Sequence, residues 1–182
     1  MNKQLLKNER ITLRAIEPED IDIVYDMEND TGFWKISNTT IPYSRNMLKQ
    51  YIDNSQNDLF IDRQLHLIIV SNEENNVLGS VNLSDFSPLN SHAAVGILIK
   101  EKYRRKGYGK DALNLLIDYS FKILHINQLY AYIAANNTQS LKLFRSCGFT
   151  ESGILKQWLR EENGYSDVCF LQKISTGNGI LL

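Results

Sequence analysis

Ile11-Thr12-Leu13-Arg14-Ala15 alternates apolar and polar side chains with a period of two, the pattern of a strand buried on one face. Pro18 follows where a first helical turn tolerates the missing N–H, and Glu17, Glu19 and Asp20 favour the positive end of a helix dipole. The helical spacing of Ile21, Val24, Tyr25 and Met27 predicts a packing face on a helix running to about Asn29. Residues 31–42 hold turn formers and aromatic side chains without a period, which predicts a loop, and a second helix is expected from 44 to 54.

Residues 65–71 and 77–86 read as strands joined by the polar turn Glu73-Glu74-Asn75-Asn76, and 94–99 reads as the next strand. Three antiparallel strands in a row are predicted. Leu113, Leu116, Ile117 and Leu124 form the stripe of a helix over 110–124, which leads to a strand at 129–133. A crossover of that length joins parallel neighbours. Leu141, Phe144 and Cys147 share the face of a further helix that stops at Gly148. Residues 153–160 and 165–174 form a hairpin around Glu161-Glu162-Asn163-Gly164, where Asn-Gly is a strong turn signal. Residues 175–182 show no supporting pattern and are expected to be a flexible tail after a domain of residues 1–174.

With 182 residues the chain is long enough to bury a core without disulfides. Its 20 basic and 21 acidic residues leave a formal net charge of −1, which excludes the global field of a nucleic-acid binder. Cys147 and Cys169 form no CxxC pair and no metal spacing with His66, His92 or His125, so neither a zinc site nor a disulfide scaffold is expected. The first ten residues lack the apolar core of a signal peptide, and no window approaches about 18 uninterrupted apolar residues. A soluble, cytoplasmic chain with no metal, nucleic-acid or membrane partner is expected, and self-association into a homo-oligomer stays open.

Against this balanced background one basic turn stands out. Between the strand at 94–99 and the helix from Lys110 lie Arg104, Arg105, Lys106, Gly107, Tyr108 and Gly109. Unpaired N–H groups at a helix N-terminus form an anion cradle. Gly107 and Gly109 leave no side chain between that backbone and a phosphate, and the three cations add full charge, so a diphosphate suits both. Gly109-Lys110-Asp111 lacks the hydroxyl with which a Walker loop holds magnesium. Gly107-x-Gly109-x-x-Ala112 meets the relaxed dinucleotide fingerprint, but Ala134-Ala135-Asn136-Asn137 offers no carboxylate for a ribose. A dinucleotide-dependent oxidoreductase is therefore the weaker alternative.

The spacing Arg104-x-x-Gly107-x-Gly109 resembles the pyrophosphate-binding signature of the GNAT superfamily of acyl-CoA-dependent N-acyltransferases. Asn137-x-x-Ser140-x-x-Leu143-Phe144-x-x-x-Gly148-Phe149 resembles that family's second motif, and the element order up to about Ile174 is similar as well. The long amino-terminal region and the Asn163-Gly164 hairpin most resemble the branch of ribosomal-protein alanine and spermidine (diamine) N-acetyltransferases. The resemblance implies an α/β (α+β) fold: a mixed, mostly antiparallel seven-stranded sheet, helices on both faces and a central splayed pair of parallel strands. It implies acetyl-CoA as co-substrate, no metal, and direct attack by a primary amine in a ternary complex. A polyamine or diamine, a small amine and a peptide N-terminus all remain acceptors. By the same resemblance, Ile97, Leu98 and Ile99 would pair through their backbone with the pantetheine arm, and Arg104 to Lys110 would hold the pyrophosphate. Asn137 would bond the pantetheine amide, Ser140 would lie beside the thioester, and Arg145 would lie toward the nucleotide.

Two positions depart from that pattern. The family often carries a tyrosine, general acid to the leaving thiolate, where this chain has Phe144, and a glutamate base where it has Ala94. Losing a general acid costs about 10²–10⁴ in rate without abolishing attack of a neutral amine on a thioester. Positioning then carries more of the catalysis. Ser140, Tyr132, Tyr108 and His92 are the substitute proton carriers, whereas Cys147, on an apolar face with no histidine in pattern, is a poor nucleophile. The missing pair leaves a non-catalytic acyl-CoA-binding module as a further alternative. Phe33, Trp34 and Glu28 are the expected acceptor-side residues. For a polyamine, the stretch Phe33-Trp34-Lys35-Ile36-Ser37-Asn38 supplies no carboxylate, leaving Asp26, Glu28 and Asp30.

Overall fold

The computed structural model describes residues 5–31, 34, 40–54, 58–162 and 164–176. β1 (Ile11–Ala15) leads through a 3₁₀ turn (Pro18–Asp20) into α1 (Ile21–Glu28). Arg14 donates to both carboxylate oxygens of the buried Asp20, at 2.6 and 2.8 Å, and so ties the strand to the helix that follows. α2 (Arg45–Asn54) and the short α3 (Leu59–Asp62) precede β2 (Leu65–Ser71), β3 (Val77–Ser87) and β4 (His92–Ile99). A second 3₁₀ turn (Glu101–Tyr103), α4 (Tyr108–Lys122), β5 (Gln128–Ala134), α5 (Thr138–Ser146), β6 (Thr150–Glu161) and β7 (Gly164–Ile174) complete the order.

The seven strands form one sheet in the order β1-β2-β3-β4-β5-β7-β6, with every neighbouring pair antiparallel except β4 and β5. That parallel pair is short: His92, Ala93 and Ala94 oppose Gln128, Leu129 and Tyr130, and the pairing stops there. β4 stays bonded to β3 as far as Ile99, and β5 stays bonded to β7 as far as Ala134. Each strand is therefore held on its outer side while the inner sides part, and a wedge opens between residues 95–99 and 131–134. The expected fold, with its splayed central pair, is the one observed.

Alternation along the strands builds two cores. Val81, Leu83, Ala93, Val95, Leu129, Ala131 and Leu171 pack with Leu113, Leu116, Leu141 and Phe144 of α4 and α5. On the opposite face Ile68, Val70 and Leu98 pack with Val24, Met27 and Leu48 of α1 and α2. A dry interior of this size is the main stabilising term of the fold.

Two local expectations are corrected, and one short element is added. α4 begins at Tyr108 rather than Lys110, because Gly107 in the left-handed region serves as its N-cap. α3 has only four residues, too few to show a period; the Asp58 side chain accepts from the Phe60 N–H at 2.8 Å, and left-handed Arg63 closes it. Thr31 and Trp34 are helical where a loop is expected, and the Trp34 indole N–H donates to the Glu28 carbonyl at the end of α1, at 2.8 Å. Phe33, the rest of that stretch from 35 to 39, and Asn163 at the hairpin tip lie outside the described residues. So does the expected tail from 177 onward, although the Ser175 N–H still donates to the Asn127 carbonyl at 2.9 Å.

Candidate active site

The turn that leaves β4 is shaped by its own backbone. Arg104 Nε donates to the Ile99 carbonyl at 3.0 Å, folding the chain back on the strand end. Arg105 and Gly107 both have positive φ, at 60° and 87°, and such turns gather successive N–H groups into an anion-binding concavity. The Gly107 carbonyl accepts from the N–H groups of Lys110 and Asp111 at 3.0 and 3.1 Å, which starts α4. Among the described residues, the N–H groups of Arg105, Lys106, Gly107, Tyr108 and Gly109 donate to no protein acceptor. These are five consecutive free donors at the positive end of a 15-residue helix. A Cβ at Gly109 would stand 3.2 Å from Leu143 and 3.6 Å from Ile99, so this glycine lets the helix start close against β4 and α5.

The other residues expected on the donor side lie on β4, at the turn and along α5. Ile97, Leu98 and Ile99 lie on the part of β4 that β5 has left, so one backbone edge faces the wedge. Lys106 and Lys110 are exposed at the turn. Asn137 caps α5: its Oδ1 accepts from the Ser140 N–H at 3.1 Å, leaving the carboxamide N–H₂ available. Ser140 is half-buried in the first turn of that helix. Arg145 pairs with Glu151 at 2.7 Å on the exposed side. Phe144 is 3% exposed and meets Phe149 edge-on, with ring centroids 5.0 Å apart.

The sheet face toward α1 and α2 carries a different set. The register puts His66, Asn82 and Gly96 in one row across β2, β3 and β4 that ends at the wedge. A Cβ at Gly96 would lie 2.3 Å from Asn82 Oδ1, so the glycine makes room for that carboxamide at the strand edge. Desolvation pushes the His66 imidazole down to about 4, which keeps it neutral near pH 7. Beside this row stand His92, Tyr130, Tyr132 and Phe170. Tyr130 lies 5.6 Å from His92, 5.5 Å from Tyr132 and 5.6 Å from Phe170, ring to ring. His92 Nδ1 is buried without a hydrogen-bond partner, and Tyr132 remains 54% exposed. Glu28 is half-buried, and burial raises its carboxyl above the usual range. Burial raises the Tyr51 phenol as well, with Asp62 and Glu28 adding negative charge near it. Tyr51 and Asp62 line an open cleft of about 400 Å³ together with Met47, Gln50, Asn54 and Gln64.

The sequence profile described as an acetyltransferase (GNAT) domain matches residues 10–150, from just before β1 to the start of β6. The chain belongs to the GNAT acetyltransferases. This membership sets aside the oxidoreductase alternative and the non-catalytic module. Among curated GNAT relatives, the N-acetyltransferase p20 of Bacillus licheniformis is 29% identical over 170 residues, covering 91% of this chain and 93% of that protein. The spermidine N(1)-acetyltransferase of Vibrio cholerae is 26% identical over 164 residues, covering 88% and 91%. A crystal structure of the Vibrio cholerae spermidine N-acetyltransferase with CoA and spermine superposes with a TM-score of 0.81 at 25% identity, covering 92% of this chain and 96% of that one. A dodecameric structure of the same enzyme gives 0.76 at 25% identity, covering 92% and 95%.

Within this GNAT frame the structure disposes of some candidates and adds others. Cys147 is buried, and burial pushes its thiol up, away from the reactive thiolate. The Tyr108 ring is covered by the Arg10 guanidinium, 4.6 Å from its centroid. His66, Asn82, Gly96 and Phe170 belong to no sequence motif and are additions of the structure. The signal for the row was present in β3, where Ser80, Asn82 and Ser84 alternate with Val81 and Leu83. Among the described residues no three His, Cys, Asp or Glu side chains gather where they could hold a metal ion, and no helix is long and apolar enough to cross a membrane.

Proposed function

We propose that this N-acetyltransferase takes its acetyl group from acetyl-CoA and passes it to a primary amine by direct attack in a ternary complex. The carrying observation is the run of five unpaired N–H groups at 105–109, set where β4 ends beside the open wedge. That turn suits a diphosphate, and the unpaired edge of Ile97, Leu98 and Ile99 suits the amides of a pantetheine arm. Asn137, the N-cap of the helix that follows β5, and Ser140 in its first turn suit the amide and thioester of that arm, with Arg145 farther along the same helix.

A neutral amine attacks the thioester carbonyl carbon; the C–N bond forms, the C–S bond breaks, and coenzyme A departs as the thiolate. The amine proton leaves to water or to a group on the sheet face that carries His66, His92, Tyr130 and Tyr132. No tyrosine stands at 144 and no glutamate at 94, so orientation in the wedge supplies most of the acceleration. Residues 1–174 act in this reading as one catalytic domain.

A polyamine acceptor is a second reading, favoured by the Asp62 and Glu28 charges beside Tyr51 at the cleft under α2 and by the likeness to the Vibrio cholerae enzyme. Trp34 and Glu28 would border the path to it. Thiol release from acetyl-CoA over a panel of spermidine, putrescine, small monoamines and peptides with free N-termini tests both. Release with any amine above hydrolysis supports the first reading, and preference for spermidine over monoamines supports the second.

A further inference from the structure

Arg10, one residue before β1, reaches a segment 101 residues away. Its Nη1 donates to Asp111 Oδ2 at 2.7 Å, its Nη2 donates to the Lys106 carbonyl at 2.6 Å, and its guanidinium carbon lies 4.6 Å from the Tyr108 ring centroid. All three partners belong to the basic turn or to the first turns of α4. Its main chain is fixed as well: the N–H donates to Asn8 Oδ1 at 2.9 Å, and the carbonyl accepts from the Asn72 N–H at 2.9 Å.

The contact with Lys106 has a directional consequence. In a trans peptide the carbonyl of one residue and the N–H of the next point opposite ways. Arg10 draws the Lys106 carbonyl to its own side, so the Gly107 N–H is turned away from Arg10. A Cβ on Gly107 would stand 3.1 Å from Arg10 Nη1, which shows how closely the arginine backs this peptide. The contact with Asp111 has an electrostatic consequence. Asp111 is the carboxylate nearest the free donors along α4, and an anion bound there would be repelled by it were it unpaired. Arg10 neutralises it.

We infer that Arg10 is a positioning residue for the diphosphate of the donor, holding the Lys106–Gly107 peptide with its N–H toward the cradle and cancelling the Asp111 charge. The inference rests on the acetyl-CoA reading. It differs from a mere fastening of β1 to α4, which would change melting temperature and leave donor affinity alone.

Calorimetry with CoA on the wild type, Arg10→Met, Arg10→Lys and the double variant Arg10→Met/Asp111→Asn tests it, with melting temperatures taken in parallel. Arg10→Met is expected to weaken CoA binding about tenfold or more, and Arg10→Lys to recover part of the loss by keeping a charge without the two-pronged contact. Asp111→Asn added to Arg10→Met is expected to recover about threefold, because it removes the carboxylate left unneutralised. If Arg10→Met does not fold, Arg10→Lys carries the comparison with its own Asp111→Asn partner. Unchanged CoA affinity, or a deficit that Asp111→Asn does not reduce, overturns the inference. A wild type that binds no CoA overturns the acetyl-CoA reading itself, whatever the variants do.

Discussion

The turn after β4 presents main chain, whereas the sheet face toward α1 and α2 presents side chains. At the turn, the groups of interest are five N–H donors whose directions follow from backbone angles at Arg105 and Gly107 and from one anchoring arginine. On the face, they are His66, Asn82, His92, Tyr130, Tyr132 and Phe170, drawn from five strands and brought together by register. The two regions adjoin at the wedge, yet they answer to different changes. A backbone cradle is sensitive to charge and to glycine geometry. A side-chain face is sensitive to volume and to protonation.

The sharpest way to break this contrast is charge reversal at the turn. Arg105→Glu changes an exposed side chain and should raise the Michaelis constant for acetyl-CoA about 100-fold, about 2.7 kcal/mol, while the constant for the amine stays within about twofold. Steady-state kinetics with both substrates varied will show whether the two constants separate.

Protonation probes the other side. The His66 imidazole sits at about 4 in the fold against 6.5 for an unperturbed histidine, so between these values the unfolded chain binds the extra proton. The stability tied to this group is complete above pH 6.5 and is lost as pH falls toward 4. Wild type should therefore lose about 2 kcal/mol between pH 7 and pH 4.5 that His66→Gln does not lose, read from urea unfolding. Parallel pH profiles for the two proteins would mean that His66 is not desolvated on that face.

Volume is the next lever. Gly96→Ala places a methyl group 2.3 Å from Asn82 Oδ1 and should shift that carboxamide from the wedge. The Michaelis constant of the amine is expected to rise about tenfold with CoA affinity unchanged. Loss of CoA affinity instead would assign Asn82 to the donor side.

The smallest effect is expected at Phe144. Phe144→Tyr should raise turnover about threefold, with CoA affinity unchanged, if the added hydroxyl reaches the leaving thiolate. The ring is buried against Phe149, and a hydroxyl left unsatisfied there would lower stability by about 1–3 kcal/mol. Unchanged turnover together with a lower melting temperature would leave Phe144 a packing residue.

The same contrast separates what is legible in the sequence from what only the fold brings together. Arg104, Gly107 and Gly109 are close in the chain, and a strand before them and a helix after them complete the motif, so the basic turn was legible. The Asn137 cap was legible for the same local reason. Arg10 was not, because its partners Lys106 and Asp111 are distant in sequence and an isolated arginine before a strand has no pattern. The row of His66, Asn82 and Gly96 depends on how β2, β3 and β4 align, and one residue of slip would send each to the other face. The strand order was within reach through the crossover rule, but the three-residue length of the β4 and β5 pairing, which creates the wedge, has no sequence signature.

Acetylation of an amine by a donor held through its diphosphate, the proposed reaction, makes the part of the donor beyond the thioester decisive. Thiol release should be compared for acetyl-CoA and for S-acetyl-N-acetylcysteamine, a thioester that lacks the diphosphate and nucleotide, across the amine panel. Amine-dependent release is expected, with kcat/KM at least about 100-fold higher for acetyl-CoA, the worth of one or two charge-assisted hydrogen bonds to phosphate. Equal values for the two thioesters, or no amine that raises release above hydrolysis, would contradict it.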